Sequence, residues 1–169
     1  QIQGGTGADE IFGGTGANVI FGGPDDDVIQ GGKSIDQIDG GAGNDTIDGY
    51  DGNDLLLGGE SGIDTIAGGD GDDLIAGGTE NDIINGGYGN DTINGELGDD
   101  KINGDTGTDK IHGNNGNDVL QGSDGENDLV YGDAGNDKLD GGEGLGDYCS
   151  GGTGSDAADP NCETTNSVP

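Results

Sequence analysis

The sequence predicts an all-β fold, a parallel solenoid of two sheets with about 18 residues per coil. Glycine recurs every nine or ten residues from Gly4 to Gly151, which defines seventeen consecutive units. Fifteen successive units carry Ile, Leu or Val at one fixed position. An amphipathic helix would need apolar residues at i, i+3, i+4 and i+7, whereas one apolar residue per nine fits a very short strand.

Composition rules out an ordinary globular core. The chain of 169 residues has 43 glycines, no Trp, no Met and only 27% apolar residues. Its formal charge is −32, from 36 acidic residues against four lysines. Such a surface repels phosphates and anionic lipid, so nucleic acid is not an expected partner, and no stretch is apolar enough for a membrane span. Because the chain lacks Met and begins at Gln1, we expect a processed chain or part of a longer one.

The units follow one another without gaps. Thirteen of the sixteen intervals between unit starts are nine residues, and the units that begin at Gly58, Gly122 and Gly141 are ten. In each ten-residue unit the extra residue comes before the Asp, so the apolar position still follows that Asp by two residues. We therefore predict that these insertions lie in loops.

The apolar position comes two residues after the Asp position of each unit. We expect a strand of about three residues there, with the glycine-rich half of the unit forming a turn. Two units then make one coil, and strands of successive coils stack in parallel about 4.8 Å apart. The predicted core residues are Ile11, Ile20, Ile29, Ile38, Ile47, Leu56, Ile66, Ile75, Ile84, Ile93, Ile102, Ile111, Leu120, Val130 and Leu139.

This core is too thin to hold the fold alone. Burying one aliphatic side chain is worth about 1.5–3 kcal/mol. Fixing the backbone of each residue costs about 1–2 kcal/mol, and nine residues share one aliphatic side chain. A further source of stabilisation is therefore required in the turns.

The turns are rich in glycine and in carboxylates. The first residue is Gly in all seventeen units, the second in eleven, and the residue two before the Asp in twelve. Glycine reaches positive φ freely, so alternate carbonyls can point to one side of the loop. The sixth position holds Asp in sixteen units, and only Asn18 interrupts the row. These residues are Asp9, Asp27, Asp36, Asp45, Asp54, Asp64, Asp73, Asp82, Asp91, Asp100, Asp109, Asp118, Asp128, Asp137, Asp147 and Asp156.

Carbonyls and carboxylates without His or Cys are the hard oxygen ligands that Ca²⁺ takes six to eight of. Turn propensity alone explains Gly and Asp together but not their fixed phase with an aliphatic residue. We expect each ion to lie between loops n and n+2, held by an Asp from each and by backbone carbonyls. Expected carbonyl donors include Gly40, Gly43, Gly68, Gly71, Gly86 and Gly89.

Charge gives an upper bound on the number of ions. Fourteen n, n+2 pairs carry Asp in both loops, so up to about 14 Ca²⁺ would bring the charge from −32 to about −4. Asp25, Ser34 and Glu80 replace the second-half glycine in their units. We predict weaker ion binding around residues 22 to 36.

Three units carry a family resemblance. GGAGNDTID (40–48), GGDGDDLIA (68–76) and GGYGNDTIN (86–94) match the nonapeptide G-G-x-G-x-D-x-U-x throughout. The chain therefore resembles the RTX (repeats-in-toxin, haemolysin-type) calcium-binding β-roll from residue 4 to about 159. The resemblance implies a right-handed parallel β-roll that folds on Ca²⁺ in secreted bacterial proteins. We assign residues 1–159 to a single roll and 160–169 to a tail.

The two ends differ. At the C-terminus the apolar position becomes Cys149 and then Ala158, and Cys162 can return to Cys149. A disulfide there would be worth roughly 3 kcal/mol and would tie the tail across the last coil as a cap. At the N-terminus Ile2 already lies in the apolar phase, and we expect unpaired strand edges. Either an upstream domain or a second copy would cover them.

Outward side chains flank each apolar position, and odd and even units lie on opposite faces. These outward side chains are either ordinary exposed β-forming residues or parts of a lateral contact surface. The odd units carry Phe12, Val28, Ile83 and Val119 among polar residues. The even-unit face carries Val19, Phe21, Leu55, Leu57, Leu74, Leu129 and Tyr131.

Function is predicted to be structural. Because His112 is the single histidine, the chain lacks the residues for a Ser-His-Asp triad, a Cys-His pair or a zinc site. We therefore expect that it is not an enzyme. Few aromatic and basic residues argue against a carbohydrate-binding module, and the irregular third position argues against ice binding. We expect a secreted, calcium-dependent protein that self-associates end to end or through the even-unit face. The alternative is the repeat region of a larger secreted toxin, enzyme or adhesin that aids secretion and folding.

Overall fold

Parallel strands make up the whole architecture of the computed structural model. It describes residues 1–162 and the backbone of residues 164–167. The nineteen strands are β1 (Ile2–Gln3), β2 (Glu10–Thr15), β3 (Val19–Pro24), β4 (Val28–Lys33), β5 (Gln37–Ala42), β6 (Thr46–Asp51), β7 (Leu55–Ser61), β8 (Thr65–Asp70), β9 (Leu74–Thr79), β10 (Ile83–Tyr88), β11 (Thr92–Leu97), β12 (Lys101–Gly107), β13 (Lys110–Asn115), β14 (Val119–Gly125), β15 (Leu129–Tyr131), β16 (Lys138–Asp140), β17 (Tyr148–Gly152), β18 (Ala157–Ala158) and β19 (Thr164–Ser167).

Consecutive strands alternate between two sheets. The odd-numbered strands β1 to β19 form a ten-stranded sheet, and the even-numbered strands β2 to β18 form a nine-stranded sheet. The apolar positions of the even units thus lie in the ten-stranded sheet. Each strand pairs in parallel with the strand two places along the chain, as in the pair of β9 with β11. The predicted two-sheet solenoid is confirmed.

The core is a double row of aliphatic side chains between the sheets. Ile29 lies beside Ile47 in the nine-stranded sheet, and Ile20 lies beside Ile38 in the ten-stranded sheet. All fifteen predicted core residues are buried, and Cys149 continues the row. The row is one side chain wide because every neighbour along the strand points outward.

The strands are longer than predicted. Strands β2 to β14 span six or seven residues, not three. In β10, Gly86 and Gly87 belong to the strand, and the pairing continues to Tyr88 opposite Thr106. The expectation that the whole glycine-rich half is a turn is therefore wrong, because backbone partners from the next coil keep the first three residues of most units extended. The turn between β10 and β11 is only residues 89 to 91.

The ten-residue units keep their phase, as predicted, but the prediction that the first insertion lies in a loop is wrong, because Glu60 forms a bulge inside β7. In the first of them the pairing of β5 with β7 shifts register between Gly41–Gly59 and Ala42–Ser61, so Glu60 is the extra residue. The core pairs downstream stay aligned, as Ile111 with Val130 and Val130 with Cys149 show. The insertions are absorbed outside the core rows.

The ends of the solenoid are formed by β1 and β2 on one side and by β18 and β19 on the other. Ile2 pairs with Ile20 in the predicted phase. Cys149 and Cys162 come together with their Cα atoms 5.5 Å apart and their sulfur atoms in bonding contact. The predicted tail, residues 160–169, extends in part beyond the described residues: nothing is described of 163, 168 and 169.

Candidate metal centres

The sixth-position Asp side chains form a ladder along the turns. The backbone N–H of each Asp donates to Oδ1 of the Asp one coil further on, as Asp73 does to Asp91 at 2.8 Å, 18 residues away. Asn18 takes the same place as a donor and bonds Oδ1 of Asp36 at 2.6 Å. Loop n therefore lies directly against loop n+2. Fifteen such bonds run without interruption from Asp9 and Asn18 to Asp147 and Asp156.

The second oxygen of these carboxylates has no partner. In fifteen of the sixteen predicted Asp residues Oδ2 is buried and makes no hydrogen bond to any described residue. Asp64 takes part in the same ladder through its N–H and its Oδ1. Burying a charged oxygen without a partner is costly, so these positions call for a cation. The orphaned oxygens belong to Asp9, Asp27, Asp36, Asp45, Asp54, Asp73, Asp82, Asp91, Asp100, Asp109, Asp118, Asp128, Asp137, Asp147 and Asp156.

First-position glycines keep the space beside each orphaned oxygen open. A Cβ added at Gly22 would lie 2.5 Å from Asp27 Oδ2 and 2.5 Å from the carbonyl oxygen of Gly40. At Gly49 it would meet Asp54 Oδ2 and the Gly68 carbonyl, also at 2.5 Å each. A carboxylate oxygen and a carbonyl oxygen thus converge at the place that the Cβ of any other residue would occupy.

Three of the nine-residue units have a larger residue in place of the second-half glycine. Asp25, Ser34 and Glu80 have φ values of 81°, 142° and 73°, so they keep the left-handed backbone of the glycine they replace. Such a conformation costs a non-glycine residue about 1–3 kcal/mol. In addition, the Asp25 carboxylate accepts a hydrogen bond from the N–H of Gly7 at 2.9 Å. Weaker ion binding around residues 22 to 36 remains a prediction.

The donor set consists of oxygen atoms from backbone and carboxylate groups. Among the described residues no three His, Cys, Asp or Glu side chains group closely enough to hold a metal by themselves. A site here would therefore combine carboxylates of two stacked loops with several carbonyls. That is a hard, all-oxygen set of the kind Ca²⁺ prefers, and it differs from the Cys and His sets of zinc sites.

A family model agrees with this chemistry. The model for the RTX calcium-binding nonapeptide repeat (4 copies) matches residues 3–38, 30–61, 58–93, 76–111, 103–129 and 112–145. The chain belongs to the RTX calcium-binding nonapeptide-repeat family. RTX repeats bind Ca²⁺ and form a β-roll, and the match spans most of the chain. A search of curated proteins finds no match.

The RTX loops of this chain carry a second ladder that the sequence analysis missed. It uses the fifth position, directly before the Asp, and runs in the opposite direction: Asn117 N–H donates to Asp99 Oδ1 at 2.7 Å, and Asn136 N–H donates to Asn117 Oδ1 at 3.0 Å. The signal was available, since Asn or Asp occupies this position in ten of the seventeen units. Each loop is therefore tied to both of its neighbours by side chains.

The single histidine lies away from the RTX loops. His112 Nδ1 lies 2.8 Å from Asp133 Oδ2, and its ring stacks on Tyr131 with centroids 4.6 Å apart. These side chains stand on the outer face of the ten-stranded sheet. Within the described part of the chain the structure contains no helix that could span a membrane.

Burial raises the pKa of the ladder carboxylates. The pKa of Asp73, Asp82 and Asp109 rises to about 7 because burial disfavours the charged form; an accepted backbone hydrogen bond opposes the shift, and neighbouring Asp carboxylates add to it. The same causes raise the pKa of five further ladder carboxyls to about 6. These belong to Asp45, Asp54, Asp91, Asp118 and Asp137.

These shifts predict that the calcium-free chain folds better in mild acid. These carboxyls have a pKa of about 6 or 7 in the folded chain and a pKa of about 3.9 in the unfolded chain. Their contribution to stability is complete at a pH below the unfolded pKa, and it is lost as the pH rises through the folded pKa. Circular dichroism of the chelated chain should therefore show more β structure at about pH 5 than at about pH 8. Light scattering at each pH controls for association near the isoelectric point. More structure at the higher pH would contradict the interpretation.

Proposed function

We propose that this chain is an extracellular, calcium-dependent structural protein of bacterial origin whose β-roll folds on binding Ca²⁺ and self-associates into a filament or surface matrix. The observation that carries the calcium dependence is the set of fifteen buried, unpartnered Oδ2 atoms. Bound Ca²⁺ supplies the positive charge that these oxygens and the −32 chain require.

We propose that the sixteen sixth-position Asp residues are the carboxylate ligands. Each ion lies between stacked loops and takes Asp from both, together with loop carbonyls such as those of Gly40, Gly43, Gly68, Gly71, Gly86 and Gly89. The pair of Asn18 with Asp36 has only one carboxylate, although its backbone bond is made. Up to about 14 ions would then bind, which calcium titration by calorimetry would count.

Two features support self-association. Among the described residues, β1 and β2 pair on one side only, and so do β18 and β19, which leaves backbone donors and acceptors open at both ends. On the even-unit face, Val19 and Phe21 of β3 and Leu55 and Leu57 of β7 flank a shallow apolar groove across β5. Stacking of copies at the ends would continue both sheets, and the groove would allow lateral contact.

The assembly test compares calcium with chelator. Electron microscopy and light scattering of the purified chain should show elongated assemblies with Ca²⁺ and none in chelator. Leu74 of the even-unit face and Ile83 of the opposite face form a matched pair, 47% and 50% exposed. Leu74→Lys should weaken assembly if contact is lateral, whereas Ile83→Lys should not. Assembly that neither variant changes indicates end-to-end stacking, and monomers under both conditions contradict self-association.

The alternative function is the repeat region of a larger secreted toxin, enzyme or adhesin, where the roll aids secretion and folding. The open edges of β1 and β2 support this alternative as much as they support self-association, because a preceding segment could cover them. Monomers in calcium that remain fully folded would support this alternative over the filament. In either case we propose no catalytic role for the roll itself.

We also propose that Cys149 and Cys162 form a disulfide that ties the tail to the last coils. Cys149 fills a core position and is 1% exposed, and the Cα separation of 5.5 Å suits a disulfide. Thiol titration of the unfolded chain should find no free thiol before reduction and two after it. Reduction should lower the free energy of unfolding by about 3 kcal/mol, and a reactive thiol in the unreduced chain would contradict the pairing.

A further inference from the structure

A small cleft lies on the outer face of the nine-stranded sheet near its N-terminal end. It encloses about 210 Å³ and lies diagonally across β4, between Phe12 of β2 and Tyr50 of β6. The backbone of Gly31 and Gly32 lines it between the two rings. Pockets for drug-sized ligands are usually about 300–1,000 Å³, so this cleft has room for a single substituted ring.

Tyr50 stands at a position where the fold imposes a positive φ that suits glycine; Glu96, Asp105 and Asn114 have the same conformation at the second position of their units. Tyr50 stands at the second position of its unit with a φ of 72°, where its neighbours in the sheet, Gly14, Gly32 and Gly69, are glycines with positive φ. A bulky residue at positive φ is a rare outlier and costs about 1–3 kcal/mol. The Tyr50 N–H also donates to Asp48 Oδ1 at 3.1 Å, which fixes the backbone there. Tyr50 is the one aromatic residue among the second-position residues of the seventeen units, so its ring distinguishes this part of the sheet.

The second wall of the cleft is Phe12, which is also an exposed aromatic residue. Phe12 is 57% exposed and Tyr50 is 42% exposed, on a chain with only two Phe and four Tyr. Exposed aromatic rings on opposite sides of a glycine floor offer two flat apolar surfaces to one ligand. The cleft is therefore shaped for a ring with apolar faces.

The rim of the cleft is polar but locally neutral. Lys33 Nζ lies 3.5 Å from Asp51 Oδ2, and the Gln30 amide is the third polar side chain in the lining. The −32 charge of the chain opposes an anionic ligand, while Lys33 at the rim opposes a cation. An ammonium, a carboxylate and an amide together can both donate to hydroxyl groups and accept from them.

Composition argues against a dedicated carbohydrate-binding module, but stacking brings two of the few aromatic residues into one cleft. From these features we infer that the cleft binds one pyranose ring of a neutral oligosaccharide. The C–H faces of the sugar pack on Phe12 and Tyr50, and its hydroxyl groups bond to Gln30, Lys33 and Asp51. The inference goes beyond the calcium proposal, because none of the cleft residues belongs to the Asp ladder. For a chain outside the cell it would supply a contact with polysaccharide.

The test uses the calcium-loaded chain and neutral tetrasaccharides of β-1,4-linked glucose, α-1,4-linked glucose, β-1,4-linked mannose and β-1,4-linked N-acetylglucosamine. Heteronuclear NMR should show saturable shifts confined to residues around the cleft with at least one of them. Tyr50→Gly, which restores the residue usual at this position, should weaken that binding about tenfold without loss of stability. Phe12→Ala should weaken it similarly.

Tyr88→Ala is the matched control, since Tyr88 lies on the same sheet, is 67% exposed and does not line the cleft. It should leave binding unchanged. Calcium-induced folding, followed by circular dichroism in every variant, reports separately on the calcium proposal. No saturable shift with any sugar, equal binding by Tyr50→Gly, or shifts with tetramethylammonium in place of sugar would each overturn the inference.

Discussion

Removal of calcium at neutral pH is expected to abolish most of the β structure of this chain and to expand it. The core holds one aliphatic side chain per unit, and fifteen buried carboxylate oxygens have no partner among the described residues. Without a cation, ionised Asp side chains in stacked loops repel one another. Far-ultraviolet circular dichroism and the radius of gyration by small-angle scattering, measured in chelator and after addition of Ca²⁺, check this expectation.

Magnesium is the control for ionic strength and charge. Mg²⁺ requires a near-ideal octahedron and gives up water reluctantly, so it should not restore the fold at a concentration where Ca²⁺ does. A compact β fold that persists in chelator at neutral pH would refute the calcium mechanism. Equal refolding by Mg²⁺ would refute the assignment of carbonyl-rich calcium sites and leave only charge neutralisation.

Replacement of Gly89 by Ala is expected to destabilise the calcium-loaded fold strongly, although it adds only one methyl group. Gly89 has a φ of 136°, and an added Cβ would collide with the backbone carbonyl group of Gly71 in the preceding coil. Neither atom belongs to a flexible side chain, so the two coils must separate and the loop carbonyls must turn. We expect a loss of more than about 3 kcal/mol in calcium, measured as a shift of the unfolding midpoint in denaturant.

Gly16→Ala is the matched control. Gly16 has the same place in its unit and a φ of 98°, but no atom of the described residues lies within 4 Å of an added Cβ. Its cost should be limited to the backbone strain, about 1 kcal/mol. If both variants lose the same stability, positive φ and not stacking explains the requirement for glycine.

Several features of the fold follow from the sequence because they repeat. The burial of Ile29 or Ile93, the phase of Asp91 and the placement of the extra residue near Glu60 each follow from one period counted along the chain. A pattern repeated over seventeen units averages out local ambiguity that would defeat the same reasoning in a single unit. The calcium interpretation came from the same regularity, and the family match supports it.

Strand length could not be read from one unit. Gly86 and Gly87 favour turns by their own conformational freedom. They are extended in β10 because strands of adjacent coils pair with them, as Gly87 does with Asp105. The partner lies 18 residues away, and no local propensity contains it.

The sequence by itself determined the period, the core positions and the carboxylate positions, because each of these repeats within every unit. Only the tertiary structure decided how the carboxylates are used, with Oδ1 of Asp91 taken by the N–H of Asp73 and Oδ2 left for a cation. It alone placed Phe12 and Tyr50 on opposite sides of one cleft, since they are two coils apart in the chain. The physical reason is the same in both cases: in a solenoid the contacts that matter are made between coils, and stacking, not local sequence, brings those residues together.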